Sequence, residues 1–288
     1  FLIVTVLFVL LSVISVYIGP STKNAELQAY RDIVQMLKSQ GATSLPSPPV
    51  FYTLSVLKNI ISYVSMIGAV VAIFLGFESF SGERNNGTLK LIAARPVYRD
   101  QIVTGKLLGG GMVIGILLGV ILICNLVLFV IVSGMIPSIN EIARLMSFFL
   151  IAFIYMMVFY TATMYVSLKT NDSAFGFMLM MLIWLTISFV LPQLAESQRS
   201  FAYALNAAAQ TVTQVPSDTV VSKMIELFSP AAQFQNIGKD LLQVIPETSN
   251  IGLGEVLLKQ IGAIIEILLP GLAVLLLSYK AAQKEEVI

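Results

Sequence analysis

Most of the residues that could do chemistry in this chain fall in one stretch. It reads Phe80-Ser-Gly-Glu83-Arg84-Asn-Asn-Gly87-Thr88-Leu89-Lys90-Leu91-Ile-Ala-Ala94-Arg95-Pro96-Val97-Tyr98-Arg99-Asp100-Gln-Ile-Val-Thr-Gly105-Lys106. Gly87 permits a sharp turn, and Thr88 can cap a short helix over Leu89 to Ala94. Pro96 ends that helix, because the residue before a proline is pushed out of the helical region. A second helix starts around Val97 and runs on through Gly105-Lys106. The expected product is a short helix lying along a membrane surface, with leucine and isoleucine on one side and cations at its edges. Such an element can press into a groove on a cytosolic partner. The same residues also read as a plain solvated basic loop of a membrane protein.

Elsewhere the inventory is thin. There is no histidine and one cysteine, Cys124, inside an apolar run. Disulfide scaffolds, zinc sites and histidine-based catalysis are excluded within the chain. A formal net charge of +1 offers no basic face for nucleic acid. No Gly-x-x-x-x-Gly-Lys-Ser/Thr phosphate loop is present, since Gly105-Lys106 lacks both the earlier glycine and a following hydroxyl.

The elements that carry these residues are apolar. Charged residues make up 11% of the chain and hydrophobic ones 57%, with a mean hydropathy of +0.88. A soluble domain carries about 25% charge, and a helix needs roughly 20 apolar residues to cross hydrocarbon. The expected fold is an all-α membrane protein with six transmembrane helices, over about 1–19, 56–79, 107–133, 145–168, 174–194 and 256–279. Phe1 to Ile18 has no basic start and no cleavage site, so it reads as a first membrane helix whose cytoplasmic lead-in is absent from this numbering.

Two polar segments, 20–55 and 195–255, separate the spans at their ends. The first is expected to hold an amphipathic helix with Leu27, Tyr30, Val34 and Leu37 on one face, before the break at Pro46-Ser47-Pro48-Pro49. The second is expected to form two or three short helices broken at Pro216, Pro230 and Pro246. Arg84, Lys90, Arg95, Arg99 and Lys106 crowd the 80–106 loop, whereas the next short loop holds only Arg144. The positive-inside bias therefore puts the 80–106 loop and both chain ends in the cytoplasm, and both long polar segments outside.

The order Glu83, Gly87-Thr88-Leu89, Leu91, Pro96, Arg99 and Gly105-Lys106 resembles the signature of the ABC-2 type permeases. The specific part covers about 25 residues, and the six-span layout extends the likeness over nearly the whole chain. Phe228-Ser229-Pro230 followed by Phe234 is a weaker match of the same kind. The long external segments depart from the simplest members of that family. The resemblance implies a cytoplasmic coupling helix, Gly87 to Ala94, seated in a cleft of a separate ATP-binding subunit. Glu83, Gly87, Thr88, Leu89, Leu91, Arg95, Pro96 and Arg99 would then form the coupling site, with Glu83, Arg95 and Arg99 orienting the helix through ion pairs. It further implies two ATP-binding subunits that hold ATP and magnesium, a second permease as a homodimer or as a heterodimer with a close relative, outward transport, a location in the cell membrane, and no cofactor or catalytic residue in this chain. The outer segments leave room for an extracellular accessory protein.

Within the spans, Gly111, Gly115 and Gly119 lie four apart on one helix face and admit close helix approach, as a moving seam, a dimer contact or ordinary packing. Asn125 is expected to make an interhelical hydrogen bond. Glu266 interrupts an apolar run four residues before Pro270. A lone carboxylate near mid-membrane costs a few kcal/mol, so it should be protonated, paired or facing water, at the dimer interface or the translocation path. It sits nearer the outer surface if the true span is displaced. Met156, Met157, Met178, Met180 and Met181 read as packing residues rather than thioether ligands. A proton-coupled secondary transporter using Glu266 is the alternative. It lacks repeated halves, an intramembrane enzyme lacks a nucleophile–base pair, and a scaffold role would be additional.

Overall fold

Backbone groups inside a bilayer must satisfy one another, and a helix does this within a single segment. In the computed structural model, residues 2–40, 53–87, 98–133, 137–170, 172–206, 211–245 and 251–283 are described. The chain runs through α1 (Leu2–Ser39), α2 (Leu54–Asn85), α3 (Arg99–Ser133), α4 (Ile139–Lys169) and α5 (Ala174–Ser197). It then forms a hairpin of β1 (Ser200–Asn206) and β2 (Thr211–Ser217), followed by α6 (Val220–Leu227), α7 (Pro230–Leu241), α8 (Leu253–Lys259) and α9 (Ile261–Ala282). Among the described residues, five helices are long and apolar enough to cross a membrane: α2, α3, α4, α5 and α9.

Residues 2–19 of the remaining expected span, 1–19, lie within α1, whose side chains are described only in part. No break follows Gly19. Proline removes one helical hydrogen bond, but the Ala-, Glu-, Leu- and Lys-containing residues beyond Pro20 favour helix, and α1 carries through to Ser39. On that outer part Leu27, Tyr30, Val34 and Leu37 are half-buried, while the residues described between them are exposed.

Two further expectations are corrected. The chain is not purely helical, because β1 and β2 pair antiparallel from Ser200↔Ser217 to Asn206↔Thr211. Thr211, Val212, Thr213 and Val215 are β-branched and favour extended backbone, and Pro216 sits one residue from the end of an edge strand, where a missing donor is tolerated. Arg144 is not a loop residue either. Helix α4 begins at Ile139, after a Ser138–Glu141 capping box, so Arg144 lies in its second turn, 1% exposed, donating from Nη2 to the Ile251 carbonyl.

The packing centres on α4, which touches α2, α3, α5, α7 and α9. Its 31 residues span about 46 Å at 1.5 Å per residue, more than the roughly 30 Å of hydrocarbon. Helix α7, though polar in composition, descends between α2, α4 and α9. Its buried residues are Ala231, Phe234, Ile237, Gly238, Asp240 and Leu241. The Phe234 ring stacks on Tyr155 with centroids 4.6 Å apart and lies 5.5 Å from Phe148. Gly238 leaves room for the Ile61 and Phe148 side chains, which a Cβ there would meet at 3.0 and 3.1 Å.

Two of the helices around α7 contain a π-helical turn, Val64–Gly68 in α2 and Thr186–Val190 in α5. Each turn offers a backbone carbonyl to a hydroxyl. Tyr155 donates to the Ser65 carbonyl at 2.7 Å, and Ser229, the N-cap of α7, donates to the Ile187 carbonyl at 2.8 Å.

Candidate functional site

The loop read as chemical in the sequence leaves α2 and returns into α3, and the structure describes its two roots. Helix α2 ends in Asn86 and Gly87. Gly87 has φ +70°, and its N–H donates to the Arg84 carbonyl at 3.1 Å. This left-handed position after a helix favours glycine, which has no Cβ to strain. Thr88, Leu89, Leu91, Arg95 and Pro96, which form most of the expected short helix, lie outside the described residues. Arg99 opens α3 on the return side.

The roots are tied together. Glu83 Oε1 accepts from Lys106 Nζ at 2.8 Å, with the two side chains 31% and 15% exposed. The same ammonium donates to the Ser79 carbonyl and sits 4.8 Å from the centre of the Phe80 ring. The Lys106 carbonyl accepts from the Tyr160 hydroxyl of α4 at 2.7 Å, and the Tyr160 ring lies against Gly110. Thr104 and Tyr279 share a hydrogen bond of 2.9 Å that joins α3 to α9. A charge-assisted pair that also holds a backbone carbonyl and a ring face resists rearrangement more than a lone surface pair would.

Arg84 does something the sequence did not signal. Its guanidinium reaches the C-terminal end of α4, donating from Nη1 to the Ser167 carbonyl at 3.3 Å and to the Thr170 carbonyl, and from Nη2 to the Leu168 carbonyl at 3.2 Å. The last carbonyls of a helix have no partner within it, and the helix dipole makes that end negative. A guanidinium with five donors matches this need. Beside it, Ser167 Oγ donates to the Phe77 carbonyl of α2 at 2.9 Å. The root of the loop is thereby fastened to one end of α4.

The other expected residues are dispersed. A Cβ added at Gly111 would lie 3.7–3.8 Å from Met157 and Phe153 of α4, and one at Gly115 3.8 Å from Phe153, while a Cβ at Gly119 would meet nothing within 4 Å. Gly115 and Gly119 line an apolar cavity of about 390 Å³ between α3 and α4, with Phe149 and Phe153 opposite. Asn125 is fully buried, but its amide donates to the Ile121 carbonyl of its own helix at 2.7 Å instead of crossing to another. A short amide folds back on the preceding turn more readily than it spans a helix gap. Glu266 is half-buried in the second turn of α9, which starts at Ile261, five residues later than expected. It therefore lies toward one end of that span rather than at its middle. None of these five residues is brought next to the Glu83–Lys106 and Arg84 contacts.

A bundle of membrane-length helices, bound at one end into a charged knot beneath a loop, describes a multi-pass membrane component. The family model described as "ABC-2 family transporter protein" matches residues 1–287, and the chain belongs to that family. It is a transporter membrane component of that family. No curated protein matches the chain.

Proposed function

We propose that this chain is the membrane permease of an ATP-driven exporter, coupled through the 80–106 loop to a separate ATP-binding subunit. The observation that carries this reading is the double fastening of the loop roots. Glu83 with Lys106 closes the loop's base, and Arg84 secures that base to the end of α4. A loop meant only to cover a helix end gains little from such bracing, whereas one that transmits force needs it.

In this reading the loop end is cytoplasmic, as its cations favour, and both chain ends share that side. Residues Gly87 to Ala94 form the coupling helix, and two permease copies work with two ATP-binding subunits. ATP and magnesium reside in those partners, and ATP-driven closure of the pair drives substrate outward. The test is to purify the tagged chain from its native membranes in mild detergent and identify what accompanies it. The expected result is a stoichiometric ATP-binding subunit that is lost when Gly87–Ala94 is disrupted. Absence of any ATPase, under conditions that keep other such complexes whole, would sink the reading and turn attention to Glu266 as a proton site.

A further inference from the structure

We infer that Arg84 is a positioning residue that carries movement of the coupling loop into α4, and that α4 acts as a stiff rod delivering it to α7, which packs against its middle and N-terminal half. This rests on the reading above, in which the loop meets an ATP-binding subunit.

The case for α4 as the rod is structural. Helices α2, α4, α5 and α9 surround α7. Three of them are interrupted: α2 and α5 by the π turns at Val64–Gly68 and Thr186–Val190, and α9 by Pro270. Such turns and prolines are where helices bend. Helix α4 has neither interruption and contains no glycine or proline from Ile139 to Lys169. It is held at its C-terminal end and again near its middle. Arg84 grips three carbonyls at Ser167, Leu168 and Thr170, and Phe148 and Tyr155 hold Phe234 of α7. Tyr155 lies 15 residues before Thr170, so the two grips are about 22 Å apart along the axis.

The soft points sit where α7 must be released. The Ser65 and Ile187 carbonyls, both in π turns, hold Tyr155 and Ser229, and Gln235 Nε2 donates to Ser65 Oγ at 3.2 Å. A shift of α4 along its axis moves Tyr155 against Ser65 and Phe234 together, so α7 is loosened by the same motion that pulls on Arg84. Removing the Arg84 grip leaves α4 in place through its packing but disconnects it from the loop.

The test uses the full chain with its ATP-binding subunit in lipid nanodiscs. Cys124, the sole cysteine, is replaced by serine. An environment-sensitive fluorophore is placed at Lys239→Cys, an exposed position on α7, and its response to ATP with vanadate is measured. Arg84→Gln is expected to abolish that response while ATP hydrolysis by the complex continues, and Arg84→Lys to keep part of it. In a second variant the Lys239 label is replaced by a lanthanide tag, and Arg84→Cys with Thr170→Cys is either bridged by a short bismaleimide or blocked with N-ethylmaleimide. Bridging should restore the response, and blocking should not. An unchanged response in Arg84→Gln, or equal responses from bridged and blocked protein, overturns the inference. If the parent chain retains no ATP-binding subunit at all, the failure belongs to the proposed function instead. If Arg84→Gln does not assemble, the bridged and blocked pair decides.

Discussion

Neighbouring glycines in α3 should behave in opposite ways. A Cβ added at Gly110 would sit 2.2–2.4 Å from three atoms of the Tyr160 ring, whereas one at Gly109 would meet nothing within 4 Å. The Tyr160 ring is rigid and its hydroxyl is engaged with the Lys106 carbonyl, so Gly110→Ala must displace the ring and break that bond. Overpacking of this kind costs about 1–3 kcal/mol, and the lost hydrogen bond adds about 1 kcal/mol. The expected penalty is about 2–4 kcal/mol. Gly109→Ala should instead be neutral or stabilising by about 0.5–1 kcal/mol, because it only removes backbone freedom from the unfolded helix. Thermal unfolding of the purified chain in detergent, followed by size-exclusion chromatography, separates the two cases. Gly110→Ala should lower Tm by roughly 5–10 °C, and Gly109→Ala should not lower it. A Tyr160→Leu background should relieve most of the Gly110→Ala cost. Equal Tm values for the two alanine variants would refute the placement of Tyr160 over Gly110.

Three further outcomes are expected. Lys106→Met and Glu83→Gln should each destabilise the chain, and their double-mutant cycle should show a coupling of about 0.5–1.5 kcal/mol; additive Tm losses would argue against the pair. Phe234→Ala removes a fully buried ring from between Phe148 and Tyr155, and should cost about 3–5 kcal/mol, read as a large Tm loss with greater protease sensitivity of the 218–245 region. Glu266→Gln should change stability by less than about 0.5 kcal/mol, because Glu266 is half-buried and makes no ion pair among the described residues. A large Tm change would show a partner for this carboxylate, and unchanged transport and ATPase stimulation would remove it from the mechanism.

How far the sequence could be read depended on the kind of signal each element carried. Apolar runs of about 20 residues marked α2, α3, α4, α5 and α9 because burial in hydrocarbon leaves little choice of composition. The helical spacing of Leu27, Tyr30, Val34 and Leu37 marked a face that the structure half-buries. Gly87 marked a turn because a left-handed residue favours glycine. The packing of helix α7 against the spans is hidden in its composition, which Gln233, Gln235, Asn236, Lys239 and Asp240 dominate, although Ala231, Phe234, Ile237 and Leu241 hold a helical stripe. The hairpin carries a weak signal, because its alternation is interrupted by small residues and Pro216 competes with the β-branching of Thr211, Val212, Thr213 and Val215. Arg84 looked like any cation at a membrane edge. Its acceptors lie 83 to 86 residues away, and nothing local announces them.

Those acceptors are main-chain oxygens, and every residue type has one. Ser167, Leu168 and Thr170 can each be exchanged without deleting an atom that Arg84 grips, so the contact imposes a side-chain requirement on one of its two sides only. Paired substitutions cannot trace it, and methods that find contacts from covariation will pass over it. Repair of a damaged Arg84 through the same contact is likewise confined to position 84. Second-site revertants should arise elsewhere, in residues that alter how firmly α2 and α4 pack rather than in the gripped turn itself.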